Sequence, residues 1–94
     1  MTTPHDYAHA NADRFRRQLV ELLAIPSVST QPEHAADVRW AADGLVADML
    51  RIGMTRAQTF EKPGFLPIVY GEWLGAGPDA PTVLIYTHYD VQPA

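Results

Sequence analysis

The sequence predicts an α/β fold in which helices are layered on a sheet. Two long proline-free windows repeat apolar residues at spacings of three and four, the period of one helix face. Two shorter segments rich in strand-forming residues follow. Then, past a loop of glycines and prolines, comes Thr82-Val83-Leu84-Ile85-Tyr86, an unbroken apolar run of strand length, the pattern of a strand covered on both faces. The order helix, helix, strand, strand, strand fits an α/β or α+β arrangement of about three strands in a mixed sheet.

The first helix is expected from about Pro4 to Ala24. Ala8, Ala12, Phe15, Leu19 and Leu22 fall on one side. Thr3 supplies an N-cap, and Pro4 has its φ already set for the first helical position. Pro26 ends the pattern because it pushes Ile25 out of the helical region. A second helix places Val38, Ala42, Leu45, Met49 and Ile52 on one stripe. Thr30-Gln31-Pro32-Glu33 reads as its capping box, and Gly53 as its left-handed stop. Gly44, inside that helix, costs about 1 kcal/mol relative to Ala. A close approach of helix to sheet accounts for it.

Strands are expected over Thr55–Phe60 and Pro67–Leu74. Residues 75–81 form a loop, since Gly75, Gly77, Pro78 and Pro81 punctuate it. The apolar run after the loop reads as a central strand, which needs a neighbour on each edge. Only two other strand candidates exist, so the chain reads as truncated, and its apolar run predicts self-association.

Composition narrows the function. The chain has 94 residues, 47% of them hydrophobic and 19% charged, enough for one small domain. Cysteine is absent, which removes disulfides, zinc ribbons and thiol nucleophiles. Eleven acids against seven bases leave a net charge of -4, which disfavours nucleic acid or an anionic membrane as partner. Arg14, Arg16 and Arg17 sit beside Asp13 and Glu21 and read as a solvated helix face. No stretch approaches the roughly 20 apolar residues of a membrane span, and residues 1–11 lack the pattern of a secretory signal. A cytoplasmic address is expected.

Of four histidines, His5 and His9 stand four apart on the first helix, a spacing that can grip a metal but also that of an ordinary exposed pair. His34 follows the expected capping box and reads as exposed. His88 lies just beyond the apolar run, where ligands and catalytic groups gather in open α/β sheets. In extended backbone, His88 and Asp90 project to the same side. A carboxylate accepting one ring N–H fixes the tautomer and leaves the other nitrogen free for a metal. The same spacing also suits a purely structural pair.

Residues 82–94, Thr82-Val83-Leu84-Ile85-Tyr86-Thr87-His88-Tyr89-Asp90-Val91-Gln92-Pro93-Ala94, resemble the first metal-site segment of the dinuclear zinc aminoacylase, carboxypeptidase and dipeptidase family, most of all its cytosolic dipeptidase branch. Ile25-Pro26-Ser27-Val28-Ser29, the stretch from Pro32 through Arg39, and Val69-Tyr70-Gly71-Glu72-Trp73 agree in order and spacing, so the likeness runs from about Phe15 to Ala94. One departure is Thr87, where the family usually has glycine before the histidine. A side chain there is expected to crowd the site.

The resemblance implies that residues 1–94 are a partial N-terminal segment of a three-layer zinc-peptidase catalytic domain. It implies that His88 is a zinc ligand and that Asp90 is the catalytic-site carboxylate orienting it. Two Zn2+ ions per complete site, a small peptide substrate and a homodimeric parent follow in the same way. The bridging aspartate, the glutamate base and the second histidine of the family fall outside these residues, so the 94-residue chain is expected to be inactive alone. The alternatives are an amino-acid deacylase or desuccinylase of the same family, and a non-catalytic α/β interaction module.

Overall fold

The computed structural model of the chain describes residues 2–94. Three helices, one 3-10 turn and a two-stranded antiparallel sheet form in the order α1 (Pro4–Ala10), α2 (Ala12–Leu23), the 3-10 turn (Pro32–His34), α3 (Ala35–Arg51), β1 (Arg56–Phe60) and β2 (Ile68–Glu72). Thr3 caps α1 as expected. It also forms a capping box: the Asp6 N–H donates to Thr3 Oγ1 at 3.0 Å, and the Thr3 N–H donates to Asp6 Oδ2 at 3.4 Å.

The single first helix of the sequence reading is divided at Asn11, whose backbone lies at φ -110 and ψ 15. Asn11 uses both its backbone N–H (3.1 Å) and its side-chain amide (2.9 Å) on the carbonyl of Tyr7. A short amide side chain competing for the helix's own acceptor bends the ladder locally. The ladder then resumes, because the Phe15 N–H still reaches the Asn11 carbonyl at 3.0 Å. The predicted apolar side of this region exists but is not covered, and neither α1 nor α2 buries a residue.

The capping box expected at Thr30 does not form. Gln31, held extended before Pro32 (φ -115, ψ 111), leaves Thr30 outside the helical backbone. The 3-10 turn then delays the start of α3 to Ala35, and His34 Nδ1 meets Asp37 Oδ2 at 2.8 Å across the junction. The far end follows expectation. Gly53 has φ +100, its N–H bonds the Leu50 carbonyl at 3.1 Å, and the Met54 N–H bonds the Met49 carbonyl at 3.0 Å. These two bonds are the paired closure of a Schellman motif.

Helix α3 packs on both strands and buries Val38, Ala41 and Ala42. Ile52, assigned to the same stripe, is 68% exposed, because the helix has ended and the chain is turning away. The close approach expected at Gly44 is absent, since a Cβ there would meet nothing within 4 Å. It occurs on the sheet side instead. A Cβ at Gly71 in β2 would lie 2.6 Å from Met49 Sδ and 3.3 Å from Met54 Sδ. Strands β1 and β2 pair from Arg56 opposite Glu72 to Phe60 opposite Ile68.

The expected third strand does not form, and the sheet is antiparallel rather than mixed. Val83, Leu84, Ile85 and Tyr86 carry no ladder and are 79%, 88%, 83% and 91% exposed. Strand propensity needs a partner's hydrogen bonds and side chains to become a strand, and β1 and β2 pair only with each other. The accessible surface is 7765 Å², against about 5,400 Å² for a compact protein of this mass. The radius of gyration is 15.5 Å, where about 12 Å is usual for this length. Among the described residues, no helix is long and apolar enough to cross a membrane.

Candidate functional site

Residues 89–91 are tied down although the run before them is loose. The Val91 N–H donates to the Ser27 carbonyl at 3.1 Å, and Ser27 Oγ makes a longer contact, 3.4 Å, to the Tyr89 carbonyl. Tyr89 Oη donates to the carbonyl of Pro67 at 2.5 Å. Ser27, Val28 and Pro67 are buried, so this segment is moored to two solid points: the loop after α2 and the entry to β2. The loop can present these groups because it turns tightly. Its Ser27 and Val28 N–H groups bond the Ile25 and Pro26 carbonyls at 2.7 and 2.8 Å.

On this mooring, His88 Nδ1 lies 2.8 Å from Asp90 Oδ1. The two side chains share a side, as the extended spacing predicts. An ionised carboxylate only accepts, so Nδ1 carries a proton, and in the neutral ring Nε2 keeps its lone pair. The His88 side chain is 79% exposed, which leaves that nitrogen open to an incoming group. Asp90 uses its other oxygen as well: Ser29 Oγ donates to Oδ2 at 2.5 Å. The Ser29 hydroxyl first, and the His88 ring second, hold the Asp90 carboxyl below the usual carboxylate range. Burial, reinforced by the Asp90 charge, pushes the Tyr89 hydroxyl up.

Ser27, Ser29 and Tyr89 were not among the residues that sequence reasoning placed at the site. The first two lie 61 to 64 positions from the residues they bond, and no local pattern links them. The sole signal was that Ile25–Ser29 matched the same family as residues 82–94. Thr87, the departure from the family pattern, is exposed, and its hydroxyl faces the His88 carbonyl at 3.5 Å. His5 and His9 do meet, with ring centroids 4.9 Å apart, on an exposed helix. His34 is engaged by Asp37.

The Cysteinylglycine-S-conjugate dipeptidase of Corynebacterium striatum is 37% identical over 86 residues, covering 89% of this chain and 18% of its own length. The Cys-Gly metallodipeptidase of Candida albicans is 37% identical over 92 residues, 86% of this chain and 19% of its own. Over most of its length the chain is similar to part of these dipeptidases. The Cys-Gly metallodipeptidase of Schizosaccharomyces pombe is 34% identical over 93 residues, 87% of this chain and 19% of its own. The chain thus spans about a fifth of the length of the relatives it matches. No family model matches the chain, and no solved structure matches it.

The fit of these residues to the metal that the relatives' names imply is partial. His88 offers one unshared nitrogen on a ring already oriented by a carboxylate, the usual preparation of a ligating histidine. Among the described residues, no group of three or more His, Cys, Asp and Glu side chains converges. A catalytic zinc takes about three protein ligands and a water. These residues therefore suit one ligand position and its orienting acid, and do not make a complete centre.

Proposed function

We propose that this chain carries the first ligand-bearing segment of a dipeptidase that hydrolyses the amide bond of a small dipeptide of the Cys-Gly kind, in the cytoplasm. The observation carrying this reading is the 2.8 Å contact of His88 Nδ1 with Asp90 Oδ1, on a moored segment with Nε2 exposed. His88 would be the metal ligand, and Asp90 would hold its tautomer and ring plane. A bound metal such as zinc supplies Lewis-acid activation of water and of the scissile carbonyl. The remaining ligands and the general base would come from polypeptide outside these 94 residues. With one ligand position among them, these 94 residues are expected to be inactive by themselves.

The names of the relatives favour peptide hydrolysis over amino-acid deacylation or desuccinylation. The exposed Val83–Tyr86 run supports a partner surface supplied by the rest of a larger catalytic domain. The test has two arms. With zinc present, the 94-residue chain is expected to leave Cys-Gly intact. A longer polypeptide of the same reading frame is expected to cleave it and to lose that activity in the His88→Ala variant. Cleavage that survives His88→Ala in the longer polypeptide overturns the reading.

A further inference from the structure

The two oxygens of Asp90 have different partners, and the assignment is not symmetric in the fold. Oδ1 faces the ring of His88, on the same segment, at 2.8 Å. Oδ2 faces the hydroxyl of Ser29, on a separate loop 61 residues earlier, at 2.5 Å. A carboxylate bonded on one side only can rotate about its Cβ–Cγ bond, and its torsion is broad. Bonded on both sides, it is held in one plane, and the plane it offers to the ring is set by the loop after α2. That loop is itself fixed. Ser27 and Val28 are buried, and the Ser27 carbonyl takes the Val91 N–H at 3.1 Å, one residue beyond the carboxylate.

We propose that Ser29 is a positioning residue that clamps the Asp90 carboxylate, so that His88 keeps its proton on Nδ1 and turns Nε2 outward. This rests on the reading of His88 as the ligand-bearing residue and extends it to a side chain on a different element. Ser29 makes its hydrogen bond to the acid and not to the imidazole. Its effect passes through the acid. Threonine carries the same hydroxyl and serves in its place, whereas alanine frees the carboxylate.

The tautomer of His88 is the direct readout, measured from the ring 15N shifts of the 94-residue chain labelled at histidine, with the imidazole neutral. His5, His9 and His34 report in the same spectrum and are expected not to move. In the parent chain the Nδ1–H form of His88 dominates. In Ser29→Ala its ratio to the Nε2–H form falls by at least about threefold, as expected when a charge-assisted network loses one member. Exchange protection of the Val91 amide is unchanged in that variant, and Ser29→Thr restores the ratio.

Asp90→Asn separates the two levels of the claim. If Asp90→Asn shifts the tautomer and Ser29→Ala does not, the clamp is wrong while the pairing of His88 with Asp90 stands. If neither variant shifts it, the pairing fails and the functional reading fails with it. Loss of Val91 protection in Ser29→Ala would show that the hydroxyl anchors the segment rather than the ring, which also overturns the proposal.

Discussion

Replacing Tyr89 with phenylalanine removes a single oxygen and tests whether the site segment is moored or merely adjacent. Tyr89 Oη donates at 2.5 Å to the carbonyl of Pro67, a buried residue at the entry to β2. Phenylalanine keeps the ring and its volume. A typical intramolecular hydrogen bond contributes about 0.5–1.5 kcal/mol net, and stranding a buried partner costs about 1–3 kcal/mol. The half-buried position of Tyr89 places the expected loss near the overlap of those ranges, about 1–2 kcal/mol. That corresponds to roughly a 5–30-fold shift in an opening equilibrium.

The Val91 amide is the reporter, because it donates to the Ser27 carbonyl on the loop after α2, a tie separate from that of Tyr89 to Pro67. Native-state hydrogen exchange of Tyr89→Phe should show Val91 protection reduced by that factor. The amides of Ala41 and Ala42, in the buried stripe of α3, should stay within about twofold, since local opening leaves the helix-on-hairpin unit intact. Unchanged Val91 protection refutes the mooring. An equal loss in α3 refutes its independence from the rest of the fold.

Tyr70 Oη donates to Glu72 Oε1 at 3.0 Å, and this bond first, then burial and the Glu72 charge, raises the Tyr70 pKa above 10. The bond's contribution to β2 is therefore fully present below pH 10 and lost as pH rises through the raised value. In Glu72→Gln, tyrosinate absorbance should show one of the four tyrosines titrating earlier, and an unaltered titration curve contradicts the assignment. Leu84→Lys, at a side chain 88% exposed, should leave unfolding stability within about 0.5 kcal/mol while reducing self-association in sedimentation velocity. Destabilisation beyond 1 kcal/mol, or undiminished association, counts against an uncovered apolar run at residues 83–86.

Local chemistry was readable wherever a few neighbouring residues settle the backbone. Thr3 with Pro4 starts α1 as written, and Gly53 stops α3 because φ +100 suits a residue without a Cβ. The two expected strands appear within two residues of their forecast bounds, at Arg56–Phe60 and Ile68–Glu72. Even the contact between His88 and Asp90 was foreseeable, since it depends on alternation along one short extended stretch. Forecasts failed where two candidates competed for the same group. Asn11 took the Tyr7 carbonyl and split a helix, and the 3-10 turn at Pro32 displaced a capping box.

Apolar periodicity, caps and turn residues are properties of contiguous sequence, so the chain alone determines its helices, its hairpin and the shared side of His88 and Asp90. Which surfaces are covered is a property of pairing between distant segments. Only the three-dimensional arrangement reveals that Val83–Tyr86 finds no strand partner here, and that the tight approach of helix to sheet falls at Gly71 rather than Gly44. The same holds for Ser29, which reaches Asp90 across 61 residues. A hydrogen bond between groups so far apart in the chain is formed by the fold that brings them together, and no spacing within either segment encodes it.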